Sequence, residues 1–490
     1  MVLQIAYAAL SSVLPPKYYP HAVVAVVALL VVHAFARGRT TNRDRDLHAR
    51  VILVTGAFTP LGLALVTALA TRGAHIIALS PHPLSHPAPA VLVPLLRVST
   101  RNEHIYAEHA DLADPVSVRA FCTRFLTTPG ADTRIDALVL AHEYTSLGTL
   151  LRSRNPAQRE KEREAASLAT FLLITLLLPA LLVAPPDRDI RIVSVVNPFY
   201  AAAGPSFATS LADSSTSAPP LFLAEGRRAL RTVVLTRHLQ RILDSLPNRA
   251  HAASDATSPS GSNEASASGP DSARRLSQHP SNIVAVSACP GLSRKDTVEP
   301  LLGASRGVPD SSPLGAVLYA LLFPLLYLLA KPPGAALQSV LHVLFLPTPF
   351  KRAQAHLAAS LGADTAAAPT PSSDKSPREE KEREAPEEVL KPGALYRECA
   401  VVRLELPAPP KEQEGEGEGE GKGGLPDDGE LGGEALGRAV WEWYEARLKV
   451  WEKGAKTQGE AEKGREREAD QQKERGEGEK QTEDKQDGRS

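Results

Sequence analysis

The chain has 490 residues, of which 43% are hydrophobic but only 5% aromatic, and it contains 41 prolines and 33 glycines. This composition predicts that a large part of the chain lies outside any folded core. The 55 basic and 56 acidic side chains give a net charge of -1, which excludes the strongly basic surface that nucleic-acid-binding proteins use, so we expect no nucleic-acid partner.

An unbroken apolar run, AVVAVVALLVV at residues 22–32, lies near the start of the chain and is followed by four arginines between residues 37 and 45. With its flanks the run reaches roughly the 17 to 20 residues that a tilted helix needs to cross a bilayer. Clustered arginines mark the cytosolic end of such a helix, so residues 1–48 are predicted to be a single-pass membrane anchor with a basic flank. Two alternatives stay open, a cleaved signal peptide ending at the A-F-A segment 34–36 and a buried helix of a soluble protein.

From residue 50 onward, short apolar runs rich in β-branched residues alternate with segments of helical period. This alternation predicts an α/β fold with a doubly wound parallel sheet of the Rossmann type. The predicted strands are Val51–Val54, His75–Leu79, Ile105–Ala110, Ile135–Ala141, Arg191–Val196 and Asn282–Ala288, and the predicted long helices are 164–183 and 223–246.

The turn after the first strand reads TGAFTPLG and contains Thr55, Gly56 and Gly62. A phosphate group binds well at the N-terminus of a helix, and glycines let the backbone approach a cofactor closely. The turn is therefore a candidate dinucleotide site. The alternative is a tight turn that binds nothing.

Three low-complexity inserts interrupt the chain near 250–279, 362–388 and 407–433, and a charged tail occupies 454–490. Such segments cannot bury enough apolar surface to fold, so we predict that they are disordered. Recognisable structure resumes after each insert, and residues 49–453 are predicted to form one domain. The three cysteines are far apart, which predicts neither a disulfide framework nor a metal site.

The order of these motifs resembles the short-chain dehydrogenase/reductase family, in particular its retinol-dehydrogenase-like membrane branch. The motifs that carry the resemblance are TGAFTPLG at 55–62, HADLADPVSVRAF at 109–121, IDALVLAHE at 135–143, TFLLITLLLPALL at 170–182, RIVSVVN at 191–197, VVLTRHLQRIL at 233–243, SACPGLSRKDT at 287–297, GALYRECAVV at 393–402 and ALGRAVWEWYEARL at 435–448. GALYRECAVV and the last motif match the family's closing strand and final helix.

The resemblance implies that the protein binds NADP or NAD. Beside the glycine turn, Asp111 would contact the adenine ring, and Pro290 and Gly291 would form the loop that covers the nicotinamide. After the second strand the family places an acidic residue for NAD or an arginine for NADP. The segment LSPH at 79–82 has neither, and the missing acidic residue leans slightly toward NADP.

The family's catalytic residues are replaced. Glu225 stands at the position of its tyrosine and Ala229 at that of its lysine, while Asn197 and Ala166 replace its serine and asparagine. No catalytic residue stands in a standard position, and the weak candidates are Tyr200 and Glu225. Two interpretations follow, an oxidoreductase acting on a lipophilic alcohol or carbonyl with a non-standard proton relay, and a catalytically inactive scaffold or regulator.

An apolar segment at 314–330 occupies the place of the family's lid over the substrate pocket, and we expect it to lie on the membrane rather than to form a second span. The three tryptophans fall in the final predicted helix and are expected to form a packing stripe. Membrane lipid and a lipophilic small molecule are the expected partners, with a homodimer through the two long helices. The expected location is the endoplasmic reticulum membrane, with the domain in the cytosol.

Overall fold

The computed structural model of the protein describes residue 17 and residues 19–127, 134–151, 156–183, 188–212, 219–246, 281–305, 312–355, 388–407 and 428–457. The predicted insert at 250–279 lies outside these residues, as do residues 362–387 and 408–427 of the other two inserts. The predicted tail lies outside them beyond residue 457.

An eight-stranded sheet forms the centre of the described part of the chain. Its strands are β1 Val51–Thr55, β2 His75–Ser80, β3 Ile105–His109, β4 Ala137–Leu140, β5 Ile190–Val195, β6 Ile283–Cys289, β7 Leu395–Arg397 and β8 Ala400–Val402. The strand order is β3-β2-β1-β4-β5-β6-β7-β8, and all neighbours are parallel except β7 and β8. This confirms the predicted doubly wound sheet. Strands β2 and β3, which follow β1, lie on one side of it, and the chain then crosses to β4 on the other side of β1. This change of direction leaves a crevice at the carboxyl ends of β1 and β4.

The prediction of a single closing strand at 393–402 is wrong, because this segment forms a hairpin of the two short strands β7 and β8. The hairpin turns at Glu398 and Cys399, whose φ angles are 53° and 58°. Two successive residues with positive φ are what a two-residue hairpin turn requires. Residues other than glycine rarely adopt this conformation, so no residue type in the segment signals the turn.

Nine helices of eight or more residues are present in the described part of the chain. They are α1 Tyr19–Arg37, α2 Pro60–Ala70, α3 Pro87–Thr100, α4 Pro115–Thr127, α5 Pro156–Val183, α6 Leu221–Ser245, α7 Pro313–Leu329, α8 Gln338–Phe345 and α9, which covers 433–457. The sequence did not predict α3, which contains three prolines. Pro87 and Pro89 lie in its first turn, where a missing N–H costs no helical hydrogen bond, and His86 caps it by accepting from Ala88 N at 3.3 Å.

Helices cover both faces of the sheet. In β1, Ile52 and Val54 belong to an apolar cluster with α2 and α8, whereas Leu53 belongs to a cluster with α4, α5 and α6. A parallel sheet covered on both faces needs strands that are apolar throughout, which is why these strands read as continuous apolar runs.

The final helix packs on α5 and α6. Phe171 of α5 stacks on Tyr444 with ring centroids 5.2 Å apart and meets Trp441 edge-on at 5.0 Å. The Ser167 and Tyr444 hydroxyls share a hydrogen bond of 2.9 Å. The tryptophan stripe is therefore part of the packing of α9. This helix covers part of the surface through which the predicted homodimer would pair, and the homodimer stays a prediction.

Two residue ranges that were predicted to be disordered are packed against the domain. Residues 428–433 belong to the third insert, yet Leu431 is buried and Asp428 accepts a hydrogen bond from Arg241 at 2.6 Å. Helix α9 extends to residue 457 because Trp451 packs against the apolar cluster of α4, α5 and α6. Long-range contacts of this kind are not visible in local composition.

Helices α1 and α7 form a joined apolar surface. Both α1 and a stretch of α5 are long and apolar enough to cross a membrane, but α5 is mostly buried in the core whereas α1 has no buried residue. His33 of α1 stacks on Tyr327 of α7 with ring centroids 5.5 Å apart. One side of α7 packs on Leu302, and the other exposes apolar side chains such as Leu321, which is 75% exposed.

Candidate functional site

The glycine turn lies at the carboxyl end of β1. Gly56 has a φ of 65°, which suits glycine, and a Cβ on Gly62 would lie 2.0 Å from the Gly56 carbonyl oxygen. The turn and the start of α2 therefore approach each other as closely as backbones can. A Cβ on Gly56 would in turn lie 3.0 Å from His142 N, so the turn also touches the segment that follows β4. This is the cradle that the sequence predicted from Gly56 and Gly62.

A buried carboxylate occupies the N-terminus of α2. Asp296 Oδ1 accepts a hydrogen bond from Leu61 N at 2.9 Å, and its Oδ2 accepts one from the Ser293 hydroxyl at 2.8 Å. The residue is 1% exposed, and burial raises the pKa of its carboxyl above the usual value. The positive end of the helix dipole favours an anion here, and in this conformation the protein supplies that anion itself.

The remaining donors of the first turn of α2 are also used. Pro60 has no N–H, Gly62 N donates to the Thr59 hydroxyl at 3.1 Å, and Leu63 N donates to the Thr59 carbonyl oxygen at 2.8 Å. The glycines thus let the backbone segments around the turn pack closely, and a pyrophosphate could bind Leu61 N only after Asp296 moves away. The crevice is closed.

The loop predicted to cover a nicotinamide lies at the same crevice. Pro290 is buried, and Gly291 has a φ of 92° and accepts a hydrogen bond from the Tyr144 hydroxyl at 2.8 Å. Tyr144 belongs to the short helix His142–Thr145 that follows β4. The loop is therefore fixed at one point to the end of β4 and at another, through Asp296, to α2.

Asp111 and the end of β2 are turned toward their own loops. Asp111 Oδ1 accepts from Ala113 N at 2.9 Å, which forms a local turn after β3. The Ser80 hydroxyl donates to the His82 carbonyl oxygen at 2.8 Å, so the end of β2 also closes into a small turn. The structure places both residues at the carboxyl edge of the sheet, but within the described part of the chain Asp111 makes no hydrogen bond to the glycine turn.

His142 links Thr55 to the position where the family has its asparagine. Its Nε2 lies 2.9 Å from the Ala166 carbonyl oxygen, which can only accept, so we assign the proton to Nε2. Nδ1 then accepts from the Thr55 hydroxyl at 2.8 Å, and Thr55 accepts from Ala141 N at 3.0 Å. Burial lowers the pKa of His142 and keeps it neutral. Both ring nitrogens have partners, so this histidine fixes the structure of the crevice wall.

Glu225 is held in a buried ion pair. Its Oε2 accepts from Arg228 at 2.6 Å, and its Oε1 accepts from Gly148 N at 3.0 Å and lies 3.3 Å from Arg163 Nε. The side chain is 2% exposed. A carboxylate with two arginines and a backbone donor is a structural anion, and nothing in its surroundings prepares it to exchange a proton with a substrate. Ala229, at the lysine position, is buried and carries no charge.

Tyr200 has a cationic partner that the sequence did not suggest. It begins the short helix Tyr200–Ala203, and its phenol lies near the guanidinium of Arg397 at the end of β7. It also lies near Cys289, the residue just before Pro290. Burial raises the pKa of Tyr200, while Arg397 acts in the opposite direction. The combination of a tyrosine with a nearby cation resembles the family's pairing of a tyrosine with a lysine.

Asp296 and Tyr144 are the residues that sequence reasoning missed. A signal for Asp296 was available, because Ser293 and Asp296 have the S-x-x-D spacing of a capping box, and Ser293 Oγ does accept from Asp296 N, at 3.4 Å. That spacing predicts a local turn but not the distant helix whose N-terminus the carboxylate reaches.

No family model matches the chain. It is 29% identical over 184 residues to the uncharacterized oxidoreductase pbr1 of Schizosaccharomyces pombe, which covers 37% of this chain and 48% of that protein. It is 27% identical over 168 residues to retinol dehydrogenase 12 of Homo sapiens, covering 34% of this chain and 50% of that protein. The chain thus spans about half the length of these relatives.

These likenesses agree with the strand order of the sheet. The chain is similar to retinol-dehydrogenase-like members of the short-chain dehydrogenase/reductase family, and its sheet is doubly wound. Among solved structures, a short-chain dehydrogenase from Sphingobium yanoikuyae in complex with NADPH is similar, with 16% identity, a TM-score of 0.35, and coverage of 66% of this chain and 99% of that one. The glycine turn is present in this chain, and Glu225 and Ala229 occupy the positions at which the order of the motifs predicts the family's catalytic pair.

Proposed function

We propose that the protein is a membrane-associated, NAD(P)-dependent oxidoreductase that acts on a lipophilic alcohol or carbonyl compound. The observation that carries the proposal is the cradle of Gly56 and Gly62 at the crevice between β1 and β4, the place where doubly wound folds bind dinucleotides. The names of the relatives, an oxidoreductase and a retinol dehydrogenase, support an oxidation or reduction of a lipophilic alcohol.

The cofactor residues proposed are Thr55, Gly56, Gly62 and the Pro290-Gly291 loop, with Asp111 toward the adenine. NAD(P) supplies the hydride donor or acceptor when it is bound. The chain would hold the pyrophosphate at Leu61 N once Asp296 has left that donor. The missing acidic residue after β2 favours NADP.

Helices α1 and α7 support the proposed membrane association. They contact each other through His33 and Tyr327, and the side chains that they expose are aliphatic and aromatic. A surface of this kind is stable in lipid rather than in water. The arginines after α1 support a domain on the cytosolic side, and the endoplasmic reticulum is the membrane we propose. Because α7 packs on Leu302, just beyond Asp296, a lipophilic substrate could reach the crevice from the bilayer.

The proposed proton relay uses Tyr200 and Arg397. A tyrosine can give a proton to a carbonyl oxygen, or take one from an alcohol, if its phenolate is stabilised by a nearby cation. Arg397 contacts the Tyr200 phenol, and Cys289 connects the same region to the loop at Pro290. Tyr200 is 3% exposed, so the loop has to open before substrate can touch the phenol.

Turnover tests the proposal. The full chain in detergent would be given NADPH and a panel of lipophilic aldehydes and ketones, with Tyr200→Phe compared to Tyr106→Phe, which changes an exposed tyrosine of β3. We expect NADPH oxidation by the wild type and by Tyr106→Phe, with a loss of about a hundredfold or more in Tyr200→Phe at unchanged NADPH affinity. Equal rates in both variants would refute the relay.

A second candidate function is a catalytically inactive scaffold or regulator at the membrane. The specific observation in its favour is the combination of Ala229 with an ion-paired Glu225, which removes the family's catalytic pair. This candidate predicts no NADPH oxidation with any carbonyl in the panel, whether or not NADPH binds.

A further inference from the structure

A pocket of about 370 Å³ lies away from the sheet edge, between the N-terminal halves of α5 and α6, the short helix Phe207–Ala212 and α9. Its volume falls in the range of small-ligand sites. Its apolar walls come from Phe207, Leu211 and Trp443, and the remaining lining is largely ionic. The glycine cradle does not line it.

Five arginines line this pocket and three glutamates oppose them. The ion pairs within the pocket join Glu225 to Arg228 and Arg163, Glu160 to Arg163, and Glu164 to Arg447. Arg227 and Arg231 have no ion pair or hydrogen bond to any described residue, and their Nε atoms are buried without a partner. The pocket lining therefore has two more arginines than glutamates, although Glu164 and Glu143 lie near enough to Arg231 to attract its charge.

Arg227 and Arg231 are held close together. They are four residues apart on α6 and so lie on one face, with Cβ atoms about 5–6 Å apart, where like charges destabilise a helix. The Arg231 guanidinium also stacks on the Trp443 ring at 3.9 Å, which fixes its orientation. Burial lowers the pKa of Arg231, but an arginine stays charged at neutral pH. An anion between these two side chains would remove their repulsion.

We propose that this pocket binds a ligand that carries a phosphomonoester group. Guanidinium groups bind phosphate oxygens through paired hydrogen bonds, and a phosphomonoester has a charge of about -1.5 to -2 at pH 7, which is similar in size to the excess of arginines over glutamates in the lining. Phe207, Leu211 and Trp443 would contact the organic part of the ligand. The site does not depend on the oxidoreductase proposal, since it shares none of the residues of the glycine cradle.

Calorimetry tests the site on the full chain in phosphatidylcholine nanodiscs, with glycerol 3-phosphate as the probe and glycerol as the uncharged control. We expect saturable binding of the probe, weaker at high salt, and no binding of glycerol. Arg227→Gln and Arg231→Gln should each weaken binding about tenfold, because each removes charge-assisted hydrogen bonds. Arg438→Gln, which changes an exposed arginine of α9, should leave binding unchanged.

A second set of nanodiscs containing phosphatidic acid distinguishes a lipid headgroup from a soluble phosphate. If the lipid fills the pocket, it will lower the apparent affinity for glycerol 3-phosphate in the wild type but not in Arg231→Gln. If it does not, the affinity is the same in both nanodiscs and the ligand is soluble. Circular dichroism verifies that the variants are folded, and Arg231→Lys should restore part of the affinity. The proposal is overturned if neither phosphate source binds, or if binding survives loss of both Arg227 and Arg231.

Discussion

Removing the negative charge of Glu225 is predicted to destabilise the protein severely. Glu225→Gln keeps the shape of the side chain and can still accept the hydrogen bond from Gly148 N. It leaves the Arg228 guanidinium, 5% exposed, without its counter-ion. The glutamine variant therefore isolates the charge from the packing.

The magnitude follows from the burial of the pair. Breaking a buried ion pair by removing one partner costs about 3–5 kcal/mol, because an uncompensated charge remains in a poor solvent for ions. An exposed pair provides the matched control. Glu108 and Arg124 are 41% and 54% exposed, so Glu108→Gln should cost less than about 1 kcal/mol. The predicted difference between the two variants is a large part of the stability of an ordinary domain.

Urea unfolding followed by tryptophan fluorescence measures this difference, since all three tryptophans lie on α9 against α5 and α6. The double variant Glu225→Gln/Arg228→Leu should recover much of the loss, because it removes the unpaired charge as well. If Glu225→Gln costs no more than Glu108→Gln, the carboxylate is not a structural anion, and Glu225 becomes a candidate acid or base again.

Three further outcomes are expected. Asp296→Asn should tighten NADPH binding about tenfold, because the cofactor no longer displaces a charge-assisted hydrogen bond worth about 1.5 kcal/mol at Leu61 N. An unchanged dissociation constant in equilibrium titration would contradict the closed crevice. Because burial lowers the pKa of His142, the unfolded state binds a proton at this residue more readily than the folded state does. The free energy of unfolding should therefore fall as the pH drops below about 6.5. Thermal unfolding scans at successive pH values should show a smaller fall for His142→Gln. Deletion of residues 1–36 should release the protein from carbonate-washed membranes, and retention in the pellet would show that α7 inserts as well.

The sheet could be predicted from sequence because each buried parallel strand is an apolar run that stands out locally. Val51–Val54 illustrates this, since it matches β1 to within one residue. Helix α3 was missed because proline content argues against a helix, although prolines in a first turn are tolerated. The hairpin after β7 was missed because its positive φ angles fall on Glu398 and Cys399, which carry no turn signal.

At the candidate site, sequence reasoning found the glycine cradle but not what closes it. The hydrogen bond from Leu61 to Asp296 joins residues 235 positions apart, and no local pattern reports such a contact. The replacement of the catalytic pair by Glu225 and Ala229 was visible from the motif alone. Glu225 pairs with Arg228, its near neighbour on α6, and also with Arg163 of α5. The second pair depends on how α5 packs on α6.

Equilibrium titration of the full chain with NADPH, followed by nucleotide fluorescence, tests the central claim most directly. The claim is that the cradle of Gly56 and Gly62 still accepts a dinucleotide. We predict saturable binding that NADP⁺ displaces. No saturation at millimolar NADPH in either the wild type or Asp296→Asn would contradict the claim and leave the protein without a dinucleotide site.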